Sequence, residues 1–287
     1  MRPESLRRLW GGSTVCNVST TGEGYLFGRV PEQERARLAG LSAQFDSVTV
    51  RHLGTVGVAA GWHCLEIGAG TGSIARWLAA TAGSTGRVVA TDLDIQFLDD
   101  LPRPPAEVVR HDITRDPVEL DAYDLVHARA VLEHLPSRGD VVTRLVKALR
   151  PGGVLVLEDI VFGTALLPVT ARIVSPPSRA AAFSRLIPAM EAGFRAAGAD
   201  PEFGLELPAA LAAAGLRDVD AELTCRLVRG GSDESAFYTM AVQDLSPRLI
   251  AAGLLTAEDL AEPLAFVQDP ASRWFSVGMV TAWGWRG

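Results

Sequence analysis

The sequence predicts an α/β fold built on a largely parallel β-sheet. Between residues 62 and 158, short apolar segments typical of buried strands alternate with segments whose apolar residues recur at helical spacing. A glycine-rich turn follows the first of these strands, and a Pro-Gly-Gly turn precedes the fifth. Strands that are apolar throughout and alternate with helices are typical of a parallel sheet covered by helices on both faces.

The predicted strands and helices alternate as far as residue 158. The first five strands are predicted at 62–67, 87–91, 106–110, 123–128 and 154–158. The helices between them are predicted at 74–82, 95–101 and 138–149. After residue 160 the alternation ends, and the elements predicted there are a helix at 205–214 and two strands at 218–227 and 276–285.

We expect one catalytic domain, residues 60–287, with helical inserts at about 160–202 and 233–272. Residues 1–59 combine a polar, Gly-rich start with apolar residues at helical spacing, and they are expected to form an N-terminal lid and helical cover. Aromatic residues of the inserts could line an apolar pocket, although each one taken alone is more typical of core packing.

The composition is that of a globular protein and argues against a nucleic-acid partner. The chain of 287 residues is 48% hydrophobic and 21% charged, with a formal net charge of −7. An acidic chain does not attract polyphosphate. The 3 cysteines form no Cys-x-x-Cys pair, and no apolar run approaches the roughly 18 residues of a membrane span. Since the N-terminus also has no apolar signal segment, a cytoplasmic protein is expected.

The most informative motif is a glycine-rich turn between the first strand and the next helix. Its residues are Glu66, Ile67, Gly68, Ala69, Gly70, Thr71 and Gly72. Glycines let the backbone approach a ligand closely, and the helix that follows presents free N–H groups that suit an anion. The spacing departs from the dinucleotide fingerprint Gly-x-Gly-x-x-Gly, because Ser73 stands where the last glycine belongs.

Acidic residues follow the second and third strands. Asp92 lies about 20 residues beyond the glycines, where a carboxylate can accept both ribose hydroxyls of an adenosine cofactor. Asp112 follows the third strand, where an acid can accept the adenine amino group. The alternative roles are a helix cap or turn residue for Asp92 and a turn residue for Asp112.

The order and spacing of these motifs resemble a class I S-adenosylmethionine-dependent methyltransferase over about residues 60–160. The resemblance includes the fourth strand with its following segment and the Pro-Gly-Gly turn at 151–153. It implies a Rossmann-like seven-stranded sheet of order 3-2-1-4-5-7-6, with strand 7 antiparallel. Residues 24–38 and the last strand resemble the small-molecule, type-11 or UbiE-like group of actinobacterial natural-product pathways, which implies secondary metabolism and antibiotic biosynthesis.

The resemblance also implies roles for the residues of the first two motifs. Glu66 and the loop from Gly68 to Gly72 hold the methionine part of S-adenosylmethionine, Asp92 binds the ribose, and Leu93 packs on the adenine.

The remaining cofactor contacts are implied for the third and fourth strands. Asp112 and Ile113 read the adenine edge. Ala128 and Arg129 lie beside the methionine amino group and the methyl group. Many relatives carry a small or acidic residue in place of Arg129, so its contact is either the cofactor carboxylate or the acceptor.

Methyl transfer needs alignment in a dry site, and it needs a base only if the acceptor must lose a proton. His134, placed at the start of the helix after the fourth strand, is the first candidate base, and Asp159 is the second. Tyr25 could close over the cofactor and orient the acceptor, or simply pack. His127, within the fourth strand, is expected to be buried or to contact the cofactor rather than to act as a base.

The expected function is methyl transfer to a small, largely apolar natural-product-like acceptor by a monomer or homodimer. No Cys/His cluster has metal-ligand spacing, so no metal is expected. The alternatives are an NAD(P)-dependent oxidoreductase, a protein that holds the cofactor without turnover, and an RNA methyltransferase. An oxidoreductase is disfavoured because the third glycine of the dinucleotide fingerprint is missing. An RNA methyltransferase is disfavoured because the sequence shows no evident basic face or RNA-binding domain.

Overall fold

The computed structural model describes residues 31–287. The expected lid segment 1–30, with Tyr25, lies outside the described residues, and the predicted boundary at residue 60 stays a prediction. The chain divides into two compact units. The sheet unit contains residues 45–160, 203–224 and 279–287, and the helical unit contains the described residues 31–44, 161–202 and 225–278.

The described residues form eight α-helices and nine strands. The helices are α1 (Pro31–Thr55), α2 (Ser73–Ala82), α3 (Arg138–Ala148), α4 (Leu167–Thr170), α5 (Ala180–Ala196), α6 (Leu207–Ala213), α7 (Asp233–Ala251) and α8 (Ala257–Gln268). The strands are β1 (His63–Ile67), β2 (Arg87–Asp92), β3 (Ala106–Arg110), β4 (Tyr123–Arg129), β5 (Leu149–Val161), β6 (Arg217–Thr224), β7 (Leu227–Arg229), β8 (Arg273–Phe275) and β9 (Gly278–Trp285).

Seven strands form one sheet in the order β3-β2-β1-β4-β5-β9-β6. Strands β1 to β5 pair in parallel, and β6 pairs with β9 antiparallel. Near the start of β5, Gly152 donates to Arg286 and Arg286 donates to Gly153, whereas Thr281 contacts Glu158 farther along β5. Strand β9 therefore runs antiparallel to β5. The predicted fold class and strand order are confirmed, with β9 in the place of the seventh strand.

The predicted helix at 95–101 is wrong. The segment instead makes two successive tight turns, in which Leu98 donates to Ile95 and Leu101 donates to Leu98. Prolines at positions 102, 104 and 105 follow at once. A proline lacks the N–H that a helix interior needs, and it disfavours helical backbone at the residue before it, so these prolines stop a helix from continuing.

Two predicted strand boundaries are also wrong. Strand β5 begins at Leu149 rather than at 154, because the Pro-Gly-Gly segment forms a register shift within the strand instead of a turn before it. The strand predicted at 218–227 ends at Thr224, and β7 pairs with β8 in a separate two-stranded sheet of the helical unit.

Each unit has its own hydrophobic core. In the sheet unit, α2 packs on the parallel strands around fully buried residues such as Leu78 and Leu125. In the helical unit, Trp274 is 1% exposed and lies edge to face with Tyr238 and tilted against Phe266. These insert aromatics pack on one another, so they belong to a core. No helix among residues 31–287 is long and apolar enough to cross a bilayer.

Candidate active site

The glycine-rich turn joins β1 to α2 at the carboxyl edge of the sheet. Gly68 has φ +67°, and a Cβ atom there would lie 2.4 Å from Cγ2 of Val131. The N–H of Ala69 donates to the carbonyl of Thr91 at 2.9 Å, which ties the turn to β2. Gly72 precedes α2 at φ +75° and supplies no side-chain cap. The loop thus presents backbone, free of side-chain bulk, at a helix N-terminus.

Asp92 ends β2 beside this loop. Its Oδ2 accepts from the N–H of Gly70 at 2.8 Å, and its Oδ1 accepts from the N–H of Asp94 at 3.0 Å. Burial raises the pKa of the Asp92 carboxyl, and these N–H groups counteract the shift. The structure therefore couples the acid to the glycine loop. Leu93, the next residue in the chain, is 43% exposed, so its apolar side chain is accessible to a ligand.

Asp112 is the first residue of a turn after β3. Its Oδ1 accepts from both the N–H and the hydroxyl of Thr114, at 2.9 and 2.6 Å. The side chain of Ile113 is buried, and its carbonyl accepts from Arg144 at 2.7 Å. In this geometry Asp112 shapes the turn, which was the alternative role foreseen from the sequence. An adenine contact from it would have to use Oδ2 or the backbone.

Arg129, at the end of β4, reaches helix α1. Its Nη2 lies 2.8 Å from Oδ1 of Asp46, and its Nη1 donates to Oγ1 of Thr49 at 2.9 Å. Asp46 also accepts from the hydroxyl of Ser73 at 3.1 Å, so α1 is tied to the first residue of α2. Ala128 beside Arg129 is buried. Sequence reasoning missed Asp46 and Thr49, although polar residues three apart on an apolar helix face were visible.

His127 is buried between two carboxylates. Its Nδ1 lies 2.8 Å from Oε2 of Glu66, and its Nε2 lies 3.2 Å from Oε2 of Glu158. Burial opposes a charge on His127, but the carboxylates outweigh it and raise the pKa of the imidazole to about 9. Burial also opposes ionisation of Glu158, but His127 lowers the pKa of that carboxyl to about 2. The imidazole and the two carboxylates therefore form a buried, hydrogen-bonded triad, and Glu158 is a member that sequence reasoning missed.

The free energy of unfolding should fall as the pH rises from about 6.5 to 9. A histidine whose pKa is raised on folding contributes stability that is complete below its unfolded value of 6.5 and lost through its folded value of about 9. Urea unfolding at a series of pH values measures this slope. The slope should flatten in His127→Gln, and an unchanged slope in that variant would assign it to another group.

The candidate bases lie where β4 and β5 end. His134 belongs to a short 3₁₀ turn, Leu132–His134, so its predicted place at the start of a helix is wrong; α3 begins at Arg138, because Pro136 disfavours helical backbone before it. Nε2 of His134 lies 3.2 Å from Oε1 of Glu133. Asp159 is fully buried, and its Oδ1 accepts from the N–H of Val131 at 3.1 Å.

Asp159 is the less accessible of the two candidate bases. Burial and the neighbouring Glu133 carboxylate raise the pKa of Asp159 well above its usual range. Its Oδ2 has no hydrogen-bond partner among the described residues. Asp159 is 0% exposed, whereas the side chain of His134 is 11% exposed, so His134 is the better candidate of the two. Tyr25 lies outside the described residues.

Comparison with known proteins identifies a methyltransferase domain in the chain. A profile described as a methyltransferase domain matches residues 65–155. Methyltransferase str2 of Strobilurus tenacellus is 28% identical over 145 residues, which cover 50% of this chain and 49% of that protein. The highly reducing polyketide synthase ltbA of Aspergillus luteorubrus is 36% identical over 117 residues, which cover 34% of this chain and 4% of the synthase.

The fold also matches a solved structure. A candidate methyltransferase from Bacillus halodurans superposes with a TM-score of 0.54 at 16% identity, covering 82% of this chain and 97% of that one. The sheet order and the glycine loop with its neighbouring acid define a class I methyltransferase domain. Residues 65–155 of the chain therefore form a methyltransferase domain, which confirms the predicted resemblance over this part of the chain. The chain spans about half the length of str2.

Proposed function

We propose that this protein transfers a methyl group from S-adenosylmethionine to a small, largely apolar acceptor by in-line displacement. The observation that carries the proposal is the contact of the Asp92 carboxylate with the N–H of Gly70, which joins a ribose-binding acid to a side-chain-free loop. When bound, the donor supplies a methyl group activated by a sulfonium.

The residues around the loop fit the donor. The close approach of Val131 to Gly68 leaves no room for a side chain, and α2 offers N–H groups to a carboxylate. Glu66 and this loop hold the methionine part in our assignment, and Asp92 holds the ribose. Leu93 is exposed beside Asp92, where it can pack on the adenine.

We assign the acceptor to a natural-product-like class. The support is the 36% identity to a segment of a polyketide synthase, which suggests a polyketide-like acceptor. A displacement at a sulfonium methyl depends chiefly on alignment and on exclusion of water. A base contributes only if the acceptor loses a proton, and His134 is the group we assign to that step.

S-adenosylhomocysteine should bind with a Kd in the micromolar range, about −8 kcal/mol. NAD should not bind, because Ser73 replaces the third glycine of the dinucleotide fingerprint. Isothermal titration calorimetry with both ligands measures this directly. Binding of NAD without binding of S-adenosylhomocysteine would overturn the proposed function in favour of an oxidoreductase.

Asp92→Ala should weaken S-adenosylhomocysteine binding by about 1–3 kcal/mol, because ribose hydroxyls lose a charged acceptor. Asp100→Ala is the matched control, since that carboxylate is 74% exposed and pairs with Arg76 on the surface. Calorimetry of both variants should show the loss in Asp92→Ala alone. Equal affinities in the two variants would remove Asp92 from the donor site.

A further inference from the structure

His127 lies in a row of polar side chains on one face of the sheet. In the parallel register, His127 is opposite Glu66 of β1, and Arg129 is opposite Glu158 of β5. Residues two apart in a strand share a face, so all of these side chains point to the same side. A sheet covered by helices normally buries apolar residues there. The concentration of charge therefore requires an explanation.

A continuous chain of hydrogen bonds runs from strand β1 to helix α1. Glu66 contacts His127, which contacts Glu158. Oε2 of Glu158 also accepts from the Thr49 hydroxyl at 2.5 Å, and Thr49 accepts from Arg129 at 2.9 Å. The other oxygen of Glu158 accepts from Thr281 of β9 at 2.6 Å. Both carboxylates and the imidazole are at most 4% exposed.

Hydrogen bonds from His127 to both carboxylates are satisfied when the ring carries a proton on each nitrogen. Both ring nitrogens face carboxylate oxygens, and a carboxylate can only accept. A neutral imidazole would leave one nitrogen lone pair directed at a carboxylate in a buried site, where an uncompensated charge is costly. The polar groups that face His127 or its carboxylate partners from the elements packed around them are Glu66, Arg129, Glu158, Thr281, Asp46, Thr49 and His52.

We propose that His127 is a positioning residue for the methyl donor: as an imidazolium clamped between Glu66 and Glu158, it fixes the Glu66 carboxylate against the glycine loop. The inference rests on the proposed function, in which Glu66 holds the methionine part of the donor. Glu158 holds the far side of the ring and is itself anchored by hydroxyls from α1 and β9. Glu66 is thereby kept in one orientation before the donor arrives.

His127→Gln should weaken S-adenosylhomocysteine binding by roughly 10-fold or more, the size expected when a charged hydrogen bond is misaligned. With a methyl acceptor, KM for the donor should rise while kcat changes little, since the reacting atoms are not touched. His63→Gln is the control, because His63 begins β1, at the end of the strand opposite the glycine loop. It should bind the ligand as the wild type does.

The double variant His127→Gln/Glu158→Gln separates positioning from folding. It removes one positive and one negative charge, so the net charge of the buried group is the same as in the wild type and the protein should fold. Its affinity for S-adenosylhomocysteine should lie between those of His127→Gln and the wild type. The ratio of wild-type to double-variant affinity should decline as the pH rises past 9. Titration of the ligand amino group is common to both proteins and cancels in that ratio.

Nitrogen NMR of the ligand-free wild type tests the charge state without a variant. His127 should show both nitrogens protonated at pH 8, where an ordinary histidine is neutral. A neutral ring at pH 8, or equal ligand affinity in wild type and His127→Gln, would overturn the positioning role while leaving the proposed function intact. Failure of the wild type to bind S-adenosylhomocysteine would instead overturn the proposed function, and the positioning role with it.

Discussion

Gly68→Ala is expected to lower the free energy of unfolding by about 2–5 kcal/mol and to abolish micromolar donor binding. The backbone at Gly68 is left-handed, with φ +67°, and this conformation costs a residue with a Cβ about 1–2 kcal/mol. The new Cβ would also lie 2.4 Å from Cγ2 of Val131, and overpacking of this kind costs about 1–3 kcal/mol. Urea unfolding and calorimetry with S-adenosylhomocysteine measure the two effects.

Two further variants test whether the backbone conformation of Gly68 and the overlap with Val131 cause the loss of stability. Gly139→Ala is the matched control, because Gly139 lies in the first turn of α3 with nothing within 4 Å of the position of a Cβ. It should be neutral or stabilising by up to about 1 kcal/mol. Adding Val131→Ala to Gly68→Ala should recover the steric part of the loss and leave the backbone part. If Val131→Ala gives no recovery, the steric argument is wrong.

The order of the sheet could be predicted because each parallel strand is a local apolar segment with a clear turn behind it. Strands β1 to β4 were found within one residue of their bounds for this reason. The helix predicted at 95–101 was wrong because Ile95, Leu98 and Leu101 recur at a spacing that also fits a helix. Successive tight turns bury every third residue in the same way, and the prolines that follow select the turns.

The glycine turn and the position of Asp92 beside it could be predicted because short, local motifs encode them. The polar chain through His127 could not, because its members come from α1, β1, β4, β5 and β9. In the sequence, Glu158 follows an apolar segment as polar residues at strand ends usually do, and Thr49 is one polar residue within a predicted helix. Their meeting depends on register and helix packing, which no local pattern encodes. Arg129 shows the same limit, since its partner Asp46 lies 83 residues away.

His134→Ala should lower kcat by roughly 100-fold if the acceptor loses a proton, with little change in donor affinity. The Glu133 carboxylate, 3.2 Å from Nε2 of His134, orients the ring as the second partner of a base commonly does. Steady-state kinetics of the wild type and the variant measure kcat, and calorimetry with S-adenosylhomocysteine measures the donor affinity.

His111→Ala is the matched control for this prediction. His111 follows β3 at the same edge of the sheet, but its ring contacts only the carbonyl of Pro117 among the partners that the described structure gives it. Its removal should leave kcat unchanged. Full activity in His134→Ala would exclude His134 as the base. Asp159 would then be the next residue to test, and alignment of the acceptor alone would account for the transfer if replacing Asp159 also left kcat unchanged.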